Sequence, residues 1–470
     1  MSVARVLKRT PVRVALLLLL GAAIYAGYRA WALRRVHGFI VALAAVDSER
    51  AVVCVRANDD RYENGARAWV GLLDAHGSWA WSQKLDGTPI VGPHDGLLVH
   101  DAHVVVRTAL PSGVGKTASY SLADGHREWT RDFDTAQSAT YVDMVPAGPR
   151  IVQGGVDALT AIDAASGTIA WKIPTNAFVS SARVAGPSLL WSEDLNGASA
   201  SLDGGAKRTI TSTGSGMCVV GSELVYMMGD RVEARAVDGN GGQRTVASLA
   251  LPEGVSRVYA SQCGIWKTHP LFMVSFSDGT SAPMKPGLVE IDVASGTQVR
   301  FDPIDLHPLL SVVQQSNDAM FPENGSLAGD IARFVPMIDG DSNGFALVVL
   351  DVEARKITRK GPVSHARLFT EIVGDHGVFY LQGGGAGDDK ELVRFDGATG
   401  KITAAVRLPD VESLRPPALA QGRIWVHSSR WTEPLPWALL DGTTLVPVHS
   451  QGMRITPASD EIAKAWLGGP

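Results

Sequence analysis

Hydrophobic positions in this chain alternate with polar ones in short runs that end at an aspartate. In residues 158–171, ALTAIDAASGTIAW, one alternating run ends at Asp163 and a second begins after Gly167 and ends at Trp171. Alternation with a period of two predicts β-strands, and Asp and Gly are typical of the turn between two strands. The pattern therefore predicts an antiparallel β-hairpin.

The same pattern recurs along the chain. The aspartates of the predicted turns are Asp74, Asp124, Asp163, Asp203, Asp238, Asp292, Asp351, Asp396 and Asp441. Consecutive aspartates are 35 to 59 residues apart, a spacing typical of propeller blades. We expect each carboxylate to accept hydrogen bonds from turn N–H groups, and we expect a positive φ at Gly167, Gly296 and Gly400, four residues after their aspartates.

Most hairpins follow another short apolar run behind a turn, as in GSELVYM and QGRIWVH. Each unit is therefore predicted to be a sheet of three or four antiparallel strands. One such sheet cannot bury both of its faces, so the units must close into a ring. Trp81, Trp129 and Trp171 end the outgoing strands of the first three units, where a large ring could fill the space between neighbouring sheets.

The repeat ALTAIDAASGTIAWKI, residues 158–173, resembles that of PQQ-like (quinoprotein) β-propellers. The resemblance covers about residues 60–450 and implies an all-β fold, an eight-bladed β-propeller, with seven blades as the alternative. Nine hairpins would then require one decorative turn or a blade shared between the chain ends. We assign residues 38–455 to the propeller and residues 456–470 to a C-terminal tail, with a short helix over 457–467.

The resemblance specifies the fold better than the activity. Family dehydrogenases cover their quinone with two adjacent cysteines, and Cys54, Cys218 and Cys263 are not adjacent. A c-type haem motif, C-x-x-C-H, is also missing. We therefore expect no enzymatic activity and no cofactor, neither PQQ nor calcium, and we assign no catalytic residue.

One weak calcium candidate contains Asp339, Asp341 and Asn343, which copy the first half of a calcium-binding loop. The ninth and twelfth loop positions are Leu347 and Leu350, which have no side-chain oxygen. A plain β-turn is the favoured interpretation.

The N-terminus contains an uncharged apolar run, residues 14–28, bounded by Arg13 and Arg29. Flanking arginines can snorkel, which extends the usable span to about residues 12–33. We interpret residues 1–37 as a cytoplasmic stub and transmembrane anchor, with a cleaved signal peptide as the alternative. The expected location is a bacterial inner membrane with the propeller in the periplasm or outside the cell. The charge bias is small, so a cytosolic body is a further alternative.

Charge excludes some partners. Residues 1–37 contain seven of the 43 Lys and Arg residues and no Asp or Glu, which leaves 36 basic and 48 acidic residues for the body. An acidic body repels phosphate backbones, so we expect no nucleic acid. ALPSGVGKT (residues 109–117) has Leu110 where a phosphate-binding loop needs its first glycine, so we expect no nucleotide.

Of the three cysteines, Cys218 and Cys263 lie in comparable positions near strand starts and could form one disulfide in an oxidising compartment. Buried free thiols are the favoured interpretation.

The sequence thus predicts a membrane-anchored extracytoplasmic propeller that binds protein partners or a ligand at the membrane. The alternatives are an atypical PQQ-dependent oxidoreductase and an outer-membrane protein assembly factor.

Overall fold

The computed structural model describes a series of segments along the chain. They are residues 38–57, 67–90, 96–110, 112, 114–134, 144–154, 158–175, 179–193, 196–210, 216–236, 242–251, 253–255, 257–277, 285–303, 326–327, 330–339, 342–351, 353–363, 372–375, 378–384, 390–396, 401–409, 418–428 and 435–458. These segments contain strands and turns and no helix. The predicted all-β class is confirmed.

The first three sheets follow chain order. Sheet 1 contains β1 (Phe39–Ala45), β2 (Arg50–Arg56), β3 (Ala68–Asp74) and β4 (Trp79–Lys84). Sheet 2 contains β5 (Thr88–Pro89), β6 (Leu97–His100), β7 (His103–Ala109), β8 (Val114–Ser121) and β9 (Arg127–Asp134). Sheet 3 contains β10 (Met144–Ala147), β11 (Arg150–Gly154), β12 (Ala158–Asp163) and β13 (Ile169–Pro174). The last strand of each forms its outer edge.

The next three sheets repeat this order. Sheet 4 contains β14 (Val179–Ala185), β15 (Ser188–Glu193), β16 (Asn196–Ser201) and β17 (Arg208–Ile210). Sheet 5 contains β18 (Met217–Val220), β19 (Glu223–Met228), β20 (Arg231–Ala236) and β21 (Arg244–Ser248). Sheet 6 contains β22 (Arg257–Trp266), β23 (His269–Ser277), β24 (Lys285–Asp292), β25 (Thr297–Pro303) and β26 (Ser326–Leu327), which pairs in parallel with β22.

Three more sheets complete the described chain. Sheet 7 contains β27 (Asp330–Asp339), β28 (Ser342–Asp351) and β29 (Lys356–Val363). Sheet 8 contains β30 (Ile372–Asp375), β31 (Val378–Gly384), β32 (Lys390–Asp396) and β33 (Lys401–Leu408). Sheet 9 contains β34 (Ala418–Ala420), β35 (Arg423–His427), β36 (Trp437–Asp441) and β37 (Pro447–Gln451). The final strand, β38 (Thr456–Pro457), returns to sheet 8 and pairs with β33.

Several neighbouring sheets contact each other through strands near the start of each sheet. In chain order, β1 contacts β6, β6 contacts β10, and β10 contacts β14; farther along, β18 contacts β22 and β27 contacts β30. β34 of the last sheet contacts β1, and Trp425 and Trp437 of sheet 9 are buried with Ile40 and Leu73 of sheet 1. The first and last sheets therefore meet by packing of their faces.

Where burial is described, it falls from the central strands to the outer strand, as β3 of sheet 1 and β37 of sheet 9 illustrate. In β3 every residue except Asp74 is buried, because both faces of the strand lie against other sheets. The outermost strand β37 contains no fully buried residue. Among the described residues, the apolar side chains of the central strands form hydrophobic layers between neighbouring sheets, for example between sheets 1 and 2 and between sheets 5 and 6.

The described residues form nine sheets, where the sequence predicted eight blades or seven. Each sheet is built from consecutive strands, apart from the additions of β26 and β38. The ninth hairpin, β36–β37, belongs to the four-stranded sheet formed with β34 and β35.

Cys218 and Cys263 form a disulfide that joins β18 to β22. The expectation of buried free thiols was wrong for this pair. The two residues are distant in sequence, but the closure of sheet 5 against sheet 6 brings their Cα atoms to 5.5 Å, within the range that a disulfide requires. Cys54 is buried in β2.

Two of the predicted terminal elements lie largely outside the described residues. The helix expected over 457–467 does not begin at Pro457, which belongs to β38, because the backbone there pairs with β33. The anchor expected within residues 1–37 lies outside the described part of the chain. Among the described residues there is no helix with the length and apolar character needed to cross a membrane.

Candidate interaction grooves on the ring

The turns that end the third strands are shaped by their aspartates. The carboxylate of Asp163 accepts a hydrogen bond from the Ser166 N–H at 2.8 Å, and that of Asp74 accepts from the His76 N–H at 2.9 Å. Asp292 accepts from the Ala294 N–H at 2.9 Å. The φ angles of Gly167 and Gly296 are 68° and 70°, the left-handed region that favours glycine. Gly400 lies outside the described residues, and Asp396 ends β32.

Hydrogen bonds keep some of these carboxylates ionised. The side chains of His126 and Ser121 lower the pKa of Asp124 to about 2. The Ser166 hydroxyl similarly lowers the pKa of Asp163 below its ordinary value. Their hydrogen bonds are made within the turns, so these aspartates serve the local backbone.

Each of the three tryptophans docks on the turn of the next sheet. The indole Nε1 of Trp81 donates to the carbonyl oxygen of Leu122 at 2.9 Å, that of Trp129 donates to Ala164 at 2.8 Å, and that of Trp171 donates to Leu202 at 2.7 Å. The indole rings cover Gly125, Gly167 and Gly204, where a Cβ would clash with the ring. These contacts join sheets 1 to 4 in order.

The first groove, groove A, lies beside the outer edge of sheet 2. Its lining residues are Trp129, Thr130, Arg131, Asp132, Ser166 and Gly167, and its volume is about 350 Å³. Four of these residues are consecutive in β9, so the edge of the strand forms one wall. The guanidinium of Arg131 donates a hydrogen bond to the carbonyl oxygen of Gly167 and holds the two walls together.

A second groove, groove B, lies between sheets 5 and 6, the two sheets that the disulfide joins. Its volume is about 510 Å³, and its polar lining includes Glu223, Arg244, Thr268, His269 and Asp292. Arg244 donates two hydrogen bonds to the Glu223 carboxylate, at 2.9 and 2.6 Å, and they lower the pKa of Glu223 below its ordinary value.

A charge cluster adjoins groove B at His269. Glu290 pairs with His269 at 2.9 Å and with Arg355, whose side chain is 3% exposed. Burial raises the pKa of Glu290, but hydrogen bonds from His269 and Arg355 outweigh burial and leave that pKa below its ordinary value. Arg355 also lies over the ring of Trp266, 5.5 Å from its centroid. Sheet 7 is thereby attached to sheet 6.

The calcium candidate is only partly within the described residues. Asp339 ends β27, and Asn343 is the second residue of β28, where it pairs with Ile338 across the hairpin. Asp341 lies outside the described residues. In the part of the chain that the structure describes, no three His, Cys, Asp or Glu side chains are grouped as metal ligands.

Sequence reasoning missed the two grooves and the pairs Glu223–Arg244 and Glu290–Arg355. These residues come from different strands or sheets, and no local spacing marks them. One local signal was at the position four residues after the turn aspartate, where Arg355 stands in place of the glycine found at Gly167, Gly296 and Gly400.

Comparison with known proteins is consistent with this architecture. A family model named PQQ_2, described as outer membrane protein assembly factor BamB, matches residues 66–299. No curated protein matches the chain.

Among solved structures, BamB from Moraxella catarrhalis is similar at 12% identity and a TM-score of 0.41, over 71% of this chain and 91% of that one. The apo form of AztD from Citrobacter koseri is similar at 14% identity and a TM-score of 0.40, over 83% of this chain and 93% of that one. The match over residues 66–299 shows that this part of the chain carries the PQQ-like propeller repeat.

Proposed function

We propose that this protein is a membrane-anchored extracytoplasmic propeller that binds other proteins through the outer margin of its ring. The observation that carries the proposal is the form of grooves A and B. Both are open and lined mainly by polar or charged side chains and backbone. Small-molecule sites are usually enclosed and mostly apolar, whereas polar surfaces on a rigid frame suit protein recognition.

The disulfide supports the proposed compartment. A bond between Cys218 and Cys263 persists in the periplasm or outside the cell and is rare in the cytosol. The predicted anchor within residues 1–37 would hold the ring at the membrane on that side. A C-terminal alkaline phosphatase fusion is expected to be active in cells, and activity of a cytosol-specific reporter instead would contradict the proposed orientation.

A narrower role, in outer-membrane protein assembly, is favoured by the family model that matches residues 66–299. In this role the proposed partner belongs to the machinery that assembles outer-membrane proteins. Co-purification of assembly subunits with the full chain, extracted from native membranes in mild detergent, is the expected result. Recovery of other partners would support the general binding role and contradict the role in outer-membrane protein assembly.

The test of the general proposal is chemical crosslinking in native membranes followed by mass spectrometry. Crosslinks from groove B are expected to reach a defined partner, and the charge reversal Arg244→Glu should reduce them several-fold by placing two carboxylates together. Arg300→Glu is the matched control, because Arg300 pairs within its own strand with Asp302 at 2.6 Å, away from the groove lining. Dye reduction that requires added PQQ and Ca²⁺ would contradict the binding role and indicate an oxidoreductase.

A further inference from the structure

The chain itself shows that the outer edge of a sheet can accept another strand. In sheet 8, β38 lies antiparallel to β33, with Pro457 opposite Val406 and Thr456 opposite Arg407. The N–H of Ala458 donates to the carbonyl oxygen of Ala405 at 3.1 Å. The outward backbone groups of β33 are thus used by an extended segment.

The outer strand of sheet 2 has the same geometry. Both β33 and β9 carry one extra residue near their start, and the first paired residue after it is Ala404 in β33 and Trp129 in β9. Thr130, Arg131 and Asp132 therefore correspond to Ala405, Val406 and Arg407, the residues that β38 contacts.

These three corresponding residues line groove A. Among the described residues, β9 pairs with β8 alone, so its other edge faces the groove. Two independent observations thus meet at one place: an open space of about 350 Å³, and a strand register that elsewhere in the molecule carries an added strand.

The direction of the backbone groups follows from the equivalence. In an antiparallel strand the N–H and C=O of one residue point to the same side. Because the Ala405 carbonyl points outward in sheet 8, the backbone groups of Thr130 and Asp132 point into groove A, whereas those of Arg131 point to β8. The side chains of Thr130 and Asp132 are exposed.

We propose that an extended segment of a partner protein adds to sheet 2 as a further antiparallel strand along β9. This inference rests on the proposed protein-binding function and names the surface and the form of the partner. Within the described part of the chain the last strand, β38, is already engaged on sheet 8, so we assign the added strand to a separate protein. Backbone hydrogen bonds to Thr130 and Asp132 supply the attachment, and Arg131 and Asp132 can select side chains of opposite charge.

The experiment uses the full chain in its native host, with a photo-crosslinking amino acid at position 132. Three versions are compared: the parent, Thr130→Pro and Thr130→Ala. Proline removes one N–H that points into groove A and is tolerated on a sheet edge, whereas alanine changes the side chain and keeps the N–H. We expect one partner segment to be crosslinked equally in the parent and Thr130→Ala, and about tenfold less in Thr130→Pro.

A second measurement guards against misfolding of Thr130→Pro. Hydrogen exchange of the parent complex is expected to show the amides of Thr130 and Asp132 slowed relative to the chain alone. A partner that is retained by Thr130→Pro, with unchanged exchange at these amides, overturns this proposal and leaves the proposed function intact. Crosslinks to residues 459–470 of the same chain, or to a second copy, also overturn it. If none of the three versions crosslinks to a partner, both this proposal and the proposed function are overturned.

Discussion

Gly167 shows how one residue links two sheets. Its φ is 68°, and a Cβ at this position would be 2.5 Å from Cγ of Trp129 in the neighbouring sheet. Gly148 has a similar φ of 61°, but a Cβ there would have nothing within 4 Å. The two glycines meet the same backbone requirement, and Gly167 alone also makes room for an indole ring.

We predict that Gly167→Ala lowers the free energy of unfolding by about 3 to 5 kcal/mol, because backbone strain and the clash with Trp129 add. Gly148→Ala is the matched control and should cost about 1 to 2 kcal/mol, from strain alone. Urea unfolding followed by tryptophan fluorescence compares the two. Equal losses would show that the indole contact contributes nothing.

At the scale of elements, an extra residue in the outer strand orients the joint between sheets. In seven of the nine described sheets the register between the third and fourth strands shifts by one residue. Such a bulge re-aims the side chain that follows it. That side chain is tryptophan in sheets 1 to 3, and it is Ala404 in sheet 8. Opposite Ala404, the next turn carries Leu445, fully buried, in place of glycine.

Because a small residue faces a large one here, in place of tryptophan facing glycine, we predict that substitutions of Ala404 and Leu445 are energetically coupled. Ala404→Trp should destabilise the protein by about 2 kcal/mol through overpacking against Leu445. Leu445→Gly should cost about 2 kcal/mol, because the cavity it leaves outweighs the backbone strain that glycine relieves at this position, where φ is 57°. The double variant should lose at least about 1 kcal/mol less than the sum, because it recreates the tryptophan-on-glycine joint of sheets 1 to 4. Thermal unfolding of the four proteins gives the coupling, and strict additivity would contradict the compensation.

At the scale of the whole molecule, different chemistry holds the sheets together in different parts of the ring. Tryptophans join sheets 1 to 4, the disulfide joins sheets 5 and 6, and the Arg355–Glu290 pair joins sheets 6 and 7. Sheet 9 closes on sheet 1 through packing. Gly77 of sheet 1 lies so close to sheet 9 that a Cβ at this position would be 2.7 Å from the amide oxygen of Gln451. The disulfide crosslinks two sheets that have no docked tryptophan among these contacts.

We predict that the denatured chain without reductant contains one reactive thiol, that of Cys54, and three after reduction. Cys263→Ser should lower the free energy of unfolding by up to about 4 kcal/mol, because the bridge closes a loop of about 45 residues in the unfolded chain. In the control, Cys54→Ala, stability should still fall when reductant is added. Three reactive thiols before reduction would show that the disulfide is absent and would contradict the argument for an oxidising compartment.

Much of the architecture could be predicted from local signals. Alternation predicted the strands of each hairpin, and the Asp and Gly positions predicted turns such as the one from Asp163 to Gly167, because these features depend on residues close in sequence. The grooves could not be predicted in this way. Thr130 and Asp132 border groove A because of a strand register, and Glu290 meets Arg355 because sheet 7 packs on sheet 6, and neither fact has a local signature.

The sequence by itself determined the all-β class, the hairpin repeat and the family, because strand periodicity and turn chemistry act within a few residues. Tertiary structure alone decided that the described residues form nine sheets, that Cys218 meets Cys263, and that β38 pairs with β33. These outcomes depend on which thin sheet covers which neighbour, and that choice is made by the packing of residues far apart in the chain.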